Sequence, residues 1–285
     1  MSDTRDARIA ARLSRAKGFV LDMDGTLVLG DKRNKGLNAL PGAVDFVEHL
    51  KARGTPFQLF TNGTVRPPRA YVEELKHAGI DVPAERIMTP ATVAAQYFTA
   101  KGLKRILVLG GEGVSGPLAD AGLEIVRPPE RENVDAVFAG WFHEFGMADI
   151  EAACEAVWRG AKPFAASLVP YFASANGRSL GTSCAIAGAI DRITGTRTRA
   201  LGKPAPEAMR VAAQRLGVAP KDLCVIGDDP NLETLMAARD GALAIGVTTG
   251  VAKVPEFMAV PKPRRAHHVA ANIDEVLALW RAHSG

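Results

Sequence analysis

Short apolar runs alternate with amphipathic stretches along the whole chain. That alternation is the signature of βα units around a mostly parallel sheet. GFVLDM at 18–23 predicts a buried strand, and PGAVDFVEHLKARG at 41–54 a helix closed by Gly54. PFQLFTNG at 56–63 predicts the next strand, and PPRAYVEELKHAGI a helix with proline near its start and glycine at its end. A second series follows: helix TPATVAAQYFTAKG, strand RILVLGG at 105–111, short helix GPLADAGL, strand DAVFAG at 135–140, helix MADIEAACEAVWRG and strand KPFAAS. TSCAIAGAIDRITG at 182–195 predicts a helix rich in small residues. Helix APEAMRVAAQRLG, strand LCVIGDD at 223–229, helix LETLMAARDGA, strand ALAIGV at 242–247 and a final helix IDEVLALWRA complete the pattern. No solenoid repeat or low-complexity segment interrupts it. No apolar run is long enough to cross a bilayer, so no membrane role is expected.

Length and composition then narrow the class. With 285 residues the chain is too long for one minimal domain and comfortable for two. The N-terminal MSDTRDARIAARLSRAKG mixes acids with arginines and lacks an apolar core, so a secretory signal is not expected. Cys154, Cys184 and Cys224 are odd in number and widely spaced, which argues against a disulfide frame or a zinc site. The expected compartment is therefore the cytoplasm. The net charge of +4 comes with only short basic clusters and no interleaved aromatic stripe. That excess favours attraction of small anions, with no nucleic-acid partner.

Candidate chemistry sits at the predicted strand ends. In DMDGT at 22–26 the side chains of Asp22 and Asp24, two apart at a strand terminus, point the same way. Ligands of parallel sheets bind at carboxyl ends of strands, and Gly25 lets the backbone turn away. A plain hairpin turn is one competing explanation. A calcium loop is another, but it needs glycine where this chain has Leu27. LFTNG at 59–63 is again a strand running into a small polar turn: Thr61 offers a hydroxyl, and the amides of Asn62 and Gly63 can donate to an anion, although Asn-Gly turns are common without one. Lys203 stands just before a helix with Pro206 in its first turn, against the preference of the helix dipole; an anionic partner there competes with a plain surface lysine, which is the commoner case. A buried strand also ends in Asp228 and Asp229. Paired acids there raise each other's pKa unless a cation joins them, and a hard ion such as Mg²⁺ is the natural one.

Acid pair, Thr-Asn, Gly-Lys-Pro and Gly-Asp-Asp, in that order, resemble the haloacid dehalogenase superfamily. The blocks PGAVDFVEHLKARG, TNGTVRPPRAYVEELKHAGI, TPATVAAQYF, LGKPAPEAM and GDDPNLETLMAARDGA narrow the resemblance to its NagD-like, para-nitrophenyl phosphatase and phosphoglycolate phosphatase subfamily (class IIA, with a C2-type cap). The resemblance implies an α/β fold: a Rossmann-like, doubly wound parallel core over 1–84 and 200–285, with a smaller α/β cap inserted at 85–199. It implies an Mg²⁺-dependent phosphatase of small phosphorylated metabolites, acting through an aspartyl-phosphate on Asp22. Asp24 would be the general acid and then the base, with its backbone carbonyl on the metal. Thr61, Asn62 and Gly63 would cradle phosphate, and Lys203 would steady Asp22 and the phosphoryl oxygens. Asp22, Asp24 and Asp228 would form the metal site, with Asp229 and Glu233 supporting it. A phosphotransferase or mutase using the same intermediate, and a non-catalytic phosphometabolite-binding protein, are the alternatives. Relatives of this kind often pair through the cap, so a homodimer is an expectation too.

Several stretches depart from that frame. GEGVSG at 111–116 fits a dinucleotide fingerprint, with Glu130 and Glu132 downstream, but the helix after it is short and no second nucleotide-binding half follows. The loop SLVPYFASANGRSLGTSC at 167–184 is expected to reach over the site from the cap. It has Ser167-Leu168-Val169 where relatives show Asn-x-Asp, and Tyr171, Phe172, Asn176 and Arg178 are its candidate substrate contacts. Trp141, Phe142 and His143 replace smaller and acidic types. The stretch 30–43, with Lys32, Arg33 and Lys35, is longer than the family pattern, and Glu233 stands where aspartate is common. The histidines are expected to be structural, and Cys184 and Cys224 to pack as small apolar groups.

Overall fold

A computed structural model describes residues 2–31, 36–130, 132–174 and 177–282. The chain begins with α1 (Ser2–Arg15), β1 (Gly18–Asp22), the antiparallel pair β2 (Val28–Leu29) and β3 (Asn38–Ala39), α2 (Ala43–Ala52), β4 (Phe57–Phe60), α3 (Pro68–His77) and β5 (Ile87–Met88). An inserted series follows: α4 (Pro90–Ala100), β6 (Arg105–Leu109), α5 (Glu112–Asp120), β7 (Glu124–Val126), β8 (Ala136–Ala139), α6 (Met147–Trp158) and β9 (Lys162–Ala165). It continues through the hairpin β10 (Tyr171–Ser174) and β11 (Gly177–Leu180), then α7 (Thr182–Thr194) and β12 (Arg199–Ala200). The return passes through α8 (Pro206–Leu216), β13 (Leu223–Gly227), α9 (Glu233–Asp240), β14 (Leu243–Val247), α10 (Val254–Ala259), β15 (His268–Ala270) and α11 (Ile273–Ala282).

The six-stranded sheet has the order β15-β14-β13-β1-β4-β5, and the inserted five-stranded sheet β12-β9-β8-β6-β7. Every neighbouring pair in both is parallel. The parallel βα units are those the alternating pattern predicts, and the doubly wound core with an inserted α/β cap is what the family resemblance implies. The chain moves outward from β1 to β5, then returns on the other side of β1 as β13. That reversal opens a crevice at the carboxyl end of β1. Register brings the reactive ends level: Asp22 lies opposite Phe60, and Leu21 opposite Ile226. Thr61 and Asp228 therefore emerge beside Asp22 from the two flanking strands.

Alternation along β1 divides the core. Phe19 and Leu21 join the cluster under α2 and α11, and Val20 joins the one on the opposite face. Trp280 of α11 stacks on Phe19 at 5.0 Å between ring centroids. Burying such a side chain contributes roughly 2–3 kcal/mol. The second cluster runs without a break into the insert: Phe98, Phe138 and Phe164 pack with Phe60, Met88 and Val225. Shared apolar packing thus fixes the cap over the sheet.

Three local differences from the sequence reading have plain causes. The charged N-terminal stretch forms α1, whose narrow stripe of Ile9, Ala10 and Leu13 is buried and packs beside α11. The helix expected to begin at Gly116-Pro117 begins at Glu112, with Pro117 inside it. The expected reaching loop contains the hairpin β10–β11. Among the described residues no helix is long and apolar enough to cross a membrane, and all three cysteines are free thiols.

Candidate active site

Asp22 ends β1 with 5% of its surface exposed. Thr26 Oγ1 donates to its Oδ2 at 2.9 Å, and Lys203 Nζ donates to its Oδ1. The ammonium also donates to the Phe60 carbonyl at 2.7 Å and pairs with Glu233 Oε1 at 2.8 Å. A lysine has three donors, so Lys203 is fully engaged while buried. Burial alone would lower its pKa, but the Asp22 and Glu233 carboxylates outweigh burial and hold it above the ordinary value. Lys203 is therefore a fixed positive charge against Asp22.

Gly25 makes the turn after Asp24 with φ +91°, a region that side chains rarely adopt. Its amide donates to the Val28 carbonyl at 2.8 Å, folding the chain back on itself. Asp24, partly exposed, accepts from Thr61 Oγ1 at 2.5 Å, and that hydroxyl accepts from the Gly63 amide at 2.8 Å. Asn62 has another role in this arrangement. Its Oδ1 accepts from Lys203 N at 2.8 Å, and its Nδ2 donates to Lys203 O at 2.9 Å. Both faces of the Lys203 backbone are thus fixed by one amide, tying the lysine to the loop after β4.

Asp228 follows β13 and accepts from the Val251 amide at 2.6 Å. Burial, together with the Asp22 and Glu233 charges, pushes its carboxyl well above the usual carboxylate range. Glu233 is fully buried at the start of α9. Burial raises it to about 7, against the pull of Lys203, and its Oε2 accepts from the Asp229 amide at 3.1 Å. Asp229 accepts from the Asn231 amide at 2.7 Å, which shapes the loop, and burial raises its pKa as well.

The acids fit a hard cation. Asp22 and Asp228 are buried acids at neighbouring strand ends, and a positive ion between them would relieve their repulsion. Backbone crowds in beside them: a Cβ on Gly25 would lie 2.6 Å from Asp228 Oδ2, and one on Gly250 would lie 1.8 Å from it. Among the described residues no group of three His, Cys, Asp or Glu side chains is placed to hold an ion. Two carboxylates with a backbone carbonyl suit Mg²⁺, which keeps waters and takes substrate phosphate rather than a full protein cage.

The cap closes the cleft with Trp141, Ser167, Val169, Tyr171, Phe172 and Ser183. Tyr171 and Phe172 were expected there; Asn176 and the side chain of Arg178 lie outside the described residues, as do Lys32, Arg33 and Lys35. Sequence reasoning missed the serines, Val169 and the seating of Trp141. The Trp141 amide donates to Thr64 Oγ1 at 2.8 Å, joining the cap to the loop after β4. Ser183 Oγ donates to the Ser167 carbonyl at 2.8 Å. A signal existed: Trp141 and Ser167 follow closely on β8 and β9, the carboxyl ends of the second parallel sheet. One of the GEGVSG glycines also finds its use here. A Cβ on Gly113 would lie 2.4 Å from the Thr64 carbonyl, so the glycine lets the first turn of α5 touch the core. Glu132 pairs with Arg105.

The chain matches the haloacid dehalogenase-like hydrolase family over residues 19–124 and a second HAD-hydrolase-like family over 200–276. It is 28% identical over 242 residues to an acid sugar phosphatase of Staphylococcus haemolyticus, covering 85% of this chain and 88% of that one. The 4-nitrophenylphosphatase of Thermotoga maritima superposes with a TM-score of 0.82 at 26% identity, over 94% of this chain and 98% of that one. A glycerol phosphate phosphatase from Mycobacterium tuberculosis, solved with magnesium, gives 0.80 at 26%, over 94% of this chain and 77% of that one.

Proposed function

The chain belongs to the haloacid dehalogenase-like hydrolases and is a phosphoric monoester hydrolase; from that premise we propose that it hydrolyses small phosphorylated metabolites with Mg²⁺ through an aspartyl-phosphate on Asp22. The observation that carries this reading is the buried contact of Lys203 with Asp22 beside Asp228. A carboxylate attacking a phosphate dianion must overcome like-charge repulsion, and positioned cations supply the remedy. Mg²⁺ held by Asp22, Asp228 and the Asp24 carbonyl would neutralise phosphoryl charge and align the ester.

The protein's own residues divide the remaining work. The Thr26 hydroxyl and Lys203 orient the Asp22 carboxylate, which forms a bond to phosphorus as the ester P–O bond breaks. Asp24, held by Thr61, gives its proton to the departing oxygen. It then takes a proton from the water that attacks phosphorus, releasing phosphate and restoring Asp22. Glu233 and Asn62 act on Lys203, one by charge and one by fixing its backbone. Trp141, Val169, Tyr171 and Phe172 make the cap wall largely apolar, with the Ser167 and Ser183 hydroxyls among them. Such a wall suits the neutral, hydroxylated leaving group of a sugar or polyol phosphate, the class named for the acid sugar and glycerol phosphate phosphatases above.

Turnover of para-nitrophenyl phosphate and glycerol phosphate, with and without Mg²⁺, tests the reading. Release of phosphate is expected to need the metal and to disappear in Asp22→Asn. Undiminished turnover in that variant would remove Asp22 from the chemistry.

A further inference from the structure

The loop after β14 reaches the active site from two strands away, because β13 lies between β14 and β1. Residues 248–251 cross the end of β13 and meet the turn that follows β1. Thr248 ties the start of this crossing to β15, its amide donating to the Ala270 carbonyl at 3.1 Å. Lys253 Nζ closes the loop by donating to the Thr248 carbonyl at 2.7 Å.

One side of the crossing holds Asp228. The Val251 amide donates to its Oδ2 at 2.6 Å, and the Ala252 amide to its carbonyl at 3.3 Å. Gly250 brings bare backbone against the same carboxylate: a Cβ there would lie 1.8 Å from Oδ2 and 2.5 Å from Cγ. Oδ2 is thus held by an amide and walled by a glycine, while Oδ1 accepts no hydrogen bond among the described residues.

The other side holds the turn after Asp24. Gly25, at φ +91°, is free by its chemistry to swing the two peptide planes that flank it. Its amide is fixed on the Val28 carbonyl at 2.8 Å, and its carbonyl accepts from Thr249 Oγ1 at 2.5 Å, so both planes are pinned. The first of those planes carries the Asp24 carbonyl. Thr249 and Gly250 do not line the cleft over Asp22, so they act on it only through Gly25 and Asp228.

We propose that Thr249, Gly250 and Val251 form a positioning clamp for the cation site, setting the Asp228 carboxylate and the Asp24 carbonyl relative to each other. The clamp rests on the reading that Mg²⁺ is held by Asp22, Asp228 and the Asp24 carbonyl. Groups that orient metal ligands typically govern affinity by about 10–100-fold.

Titration calorimetry of the full chain with Mg²⁺ alone reads the clamp without turnover. Thr249→Val keeps the side-chain shape and removes the donor, and is expected to weaken Mg²⁺ binding about tenfold; Thr249→Ser is expected to restore it. Gly250→Ala is expected to cost at least as much, because the three atoms nearest the new methyl all belong to Asp228, whose carboxylate must turn away. In para-nitrophenyl phosphate assays, the half-saturating Mg²⁺ concentration is expected to rise by the same factor in Thr249→Val, with KM for the ester unchanged at saturating Mg²⁺. A merely structural role would instead lower the unfolding temperature of the metal-free chain and leave Mg²⁺ affinity alone. Parent-like Mg²⁺ affinity in Thr249→Val and Gly250→Ala would overturn the clamp, as would a loss that Thr249→Ser does not restore. If Gly250→Ala does not fold, the two Thr249 variants decide. Absence of saturable Mg²⁺ binding by the parent chain would overturn the metal reading itself, and the clamp with it.

Discussion

At the scale of single residues, charge compensation organises the site. Lys203 is buried because Asp22, Glu233 and the Phe60 carbonyl occupy its three donors. It is aimed correctly because Asn62 grips its backbone at 2.8 and 2.9 Å. Asn62→Ala is therefore expected to lower kcat by about tenfold or more, and stability by about 1–3 kcal/mol, because two buried backbone groups lose their partners. Urea unfolding and para-nitrophenyl phosphate kinetics check the two effects separately. The acids and the lysine were legible in the sequence because each stands at a predicted strand end or helix start. The Asn62 clamp was not, because it joins positions 141 residues apart and depends on side-chain direction, which spacing does not encode. The sequence placed Asn62 and Gly63 in the phosphate cradle through their amides, yet in this structure the Gly63 amide donates to Thr61.

At the scale of elements, the strand ends and the cap loops are different kinds of information. β1, β4 and β13 follow from apolar runs, and their register alone sets Asp22, Thr61 and Asp228 side by side. The cap edge was harder to read, because Trp141 and Ser167 act through where β8 and β9 end relative to another sheet. The GEGVSG stretch shows the same gap. Its glycines match a nucleotide pattern, but the close approach that Gly113 permits is to the Thr64 backbone. α1 carries little apolar signal because three buried residues, Ile9, Ala10 and Leu13, form its stripe. The Thr64–Trp141 bond makes a specific demand. Thr64→Val keeps the side-chain shape but removes the acceptor, so it is expected to raise KM for organic phosphates severalfold, with about 1–3 kcal/mol lost from stability. Steady-state kinetics with para-nitrophenyl phosphate beside thermal unfolding check it; an unchanged KM would show that Trp141 is held by other contacts.

At the scale of the whole molecule, one apolar cluster from Val20 and Phe60 through Phe98 to Phe164 makes core and cap pack together, while the acids gather at its edge. Fold and charge neutralisation are separable in such a design. Removal of divalent metal with a chelator is expected to abolish turnover and leave the unfolding transition nearly in place, with Mg²⁺ restoring activity. Collapse of the fold on chelation would instead assign the ion a structural role.

The central claim is that Asp22 itself carries the phosphoryl group. Asp24→Asn isolates that step, because para-nitrophenolate leaves without a donated proton, whereas water then lacks its base. Acid quenching of this variant during incubation with para-nitrophenyl phosphate and Mg²⁺, followed by peptide mass spectrometry, reads the intermediate directly. The account predicts one added phosphoryl group on the peptide containing Asp22, and none when Asp22→Asn is combined with Asp24→Asn. Phosphoryl mass on any other residue, or an adduct that survives loss of Asp22, would contradict it.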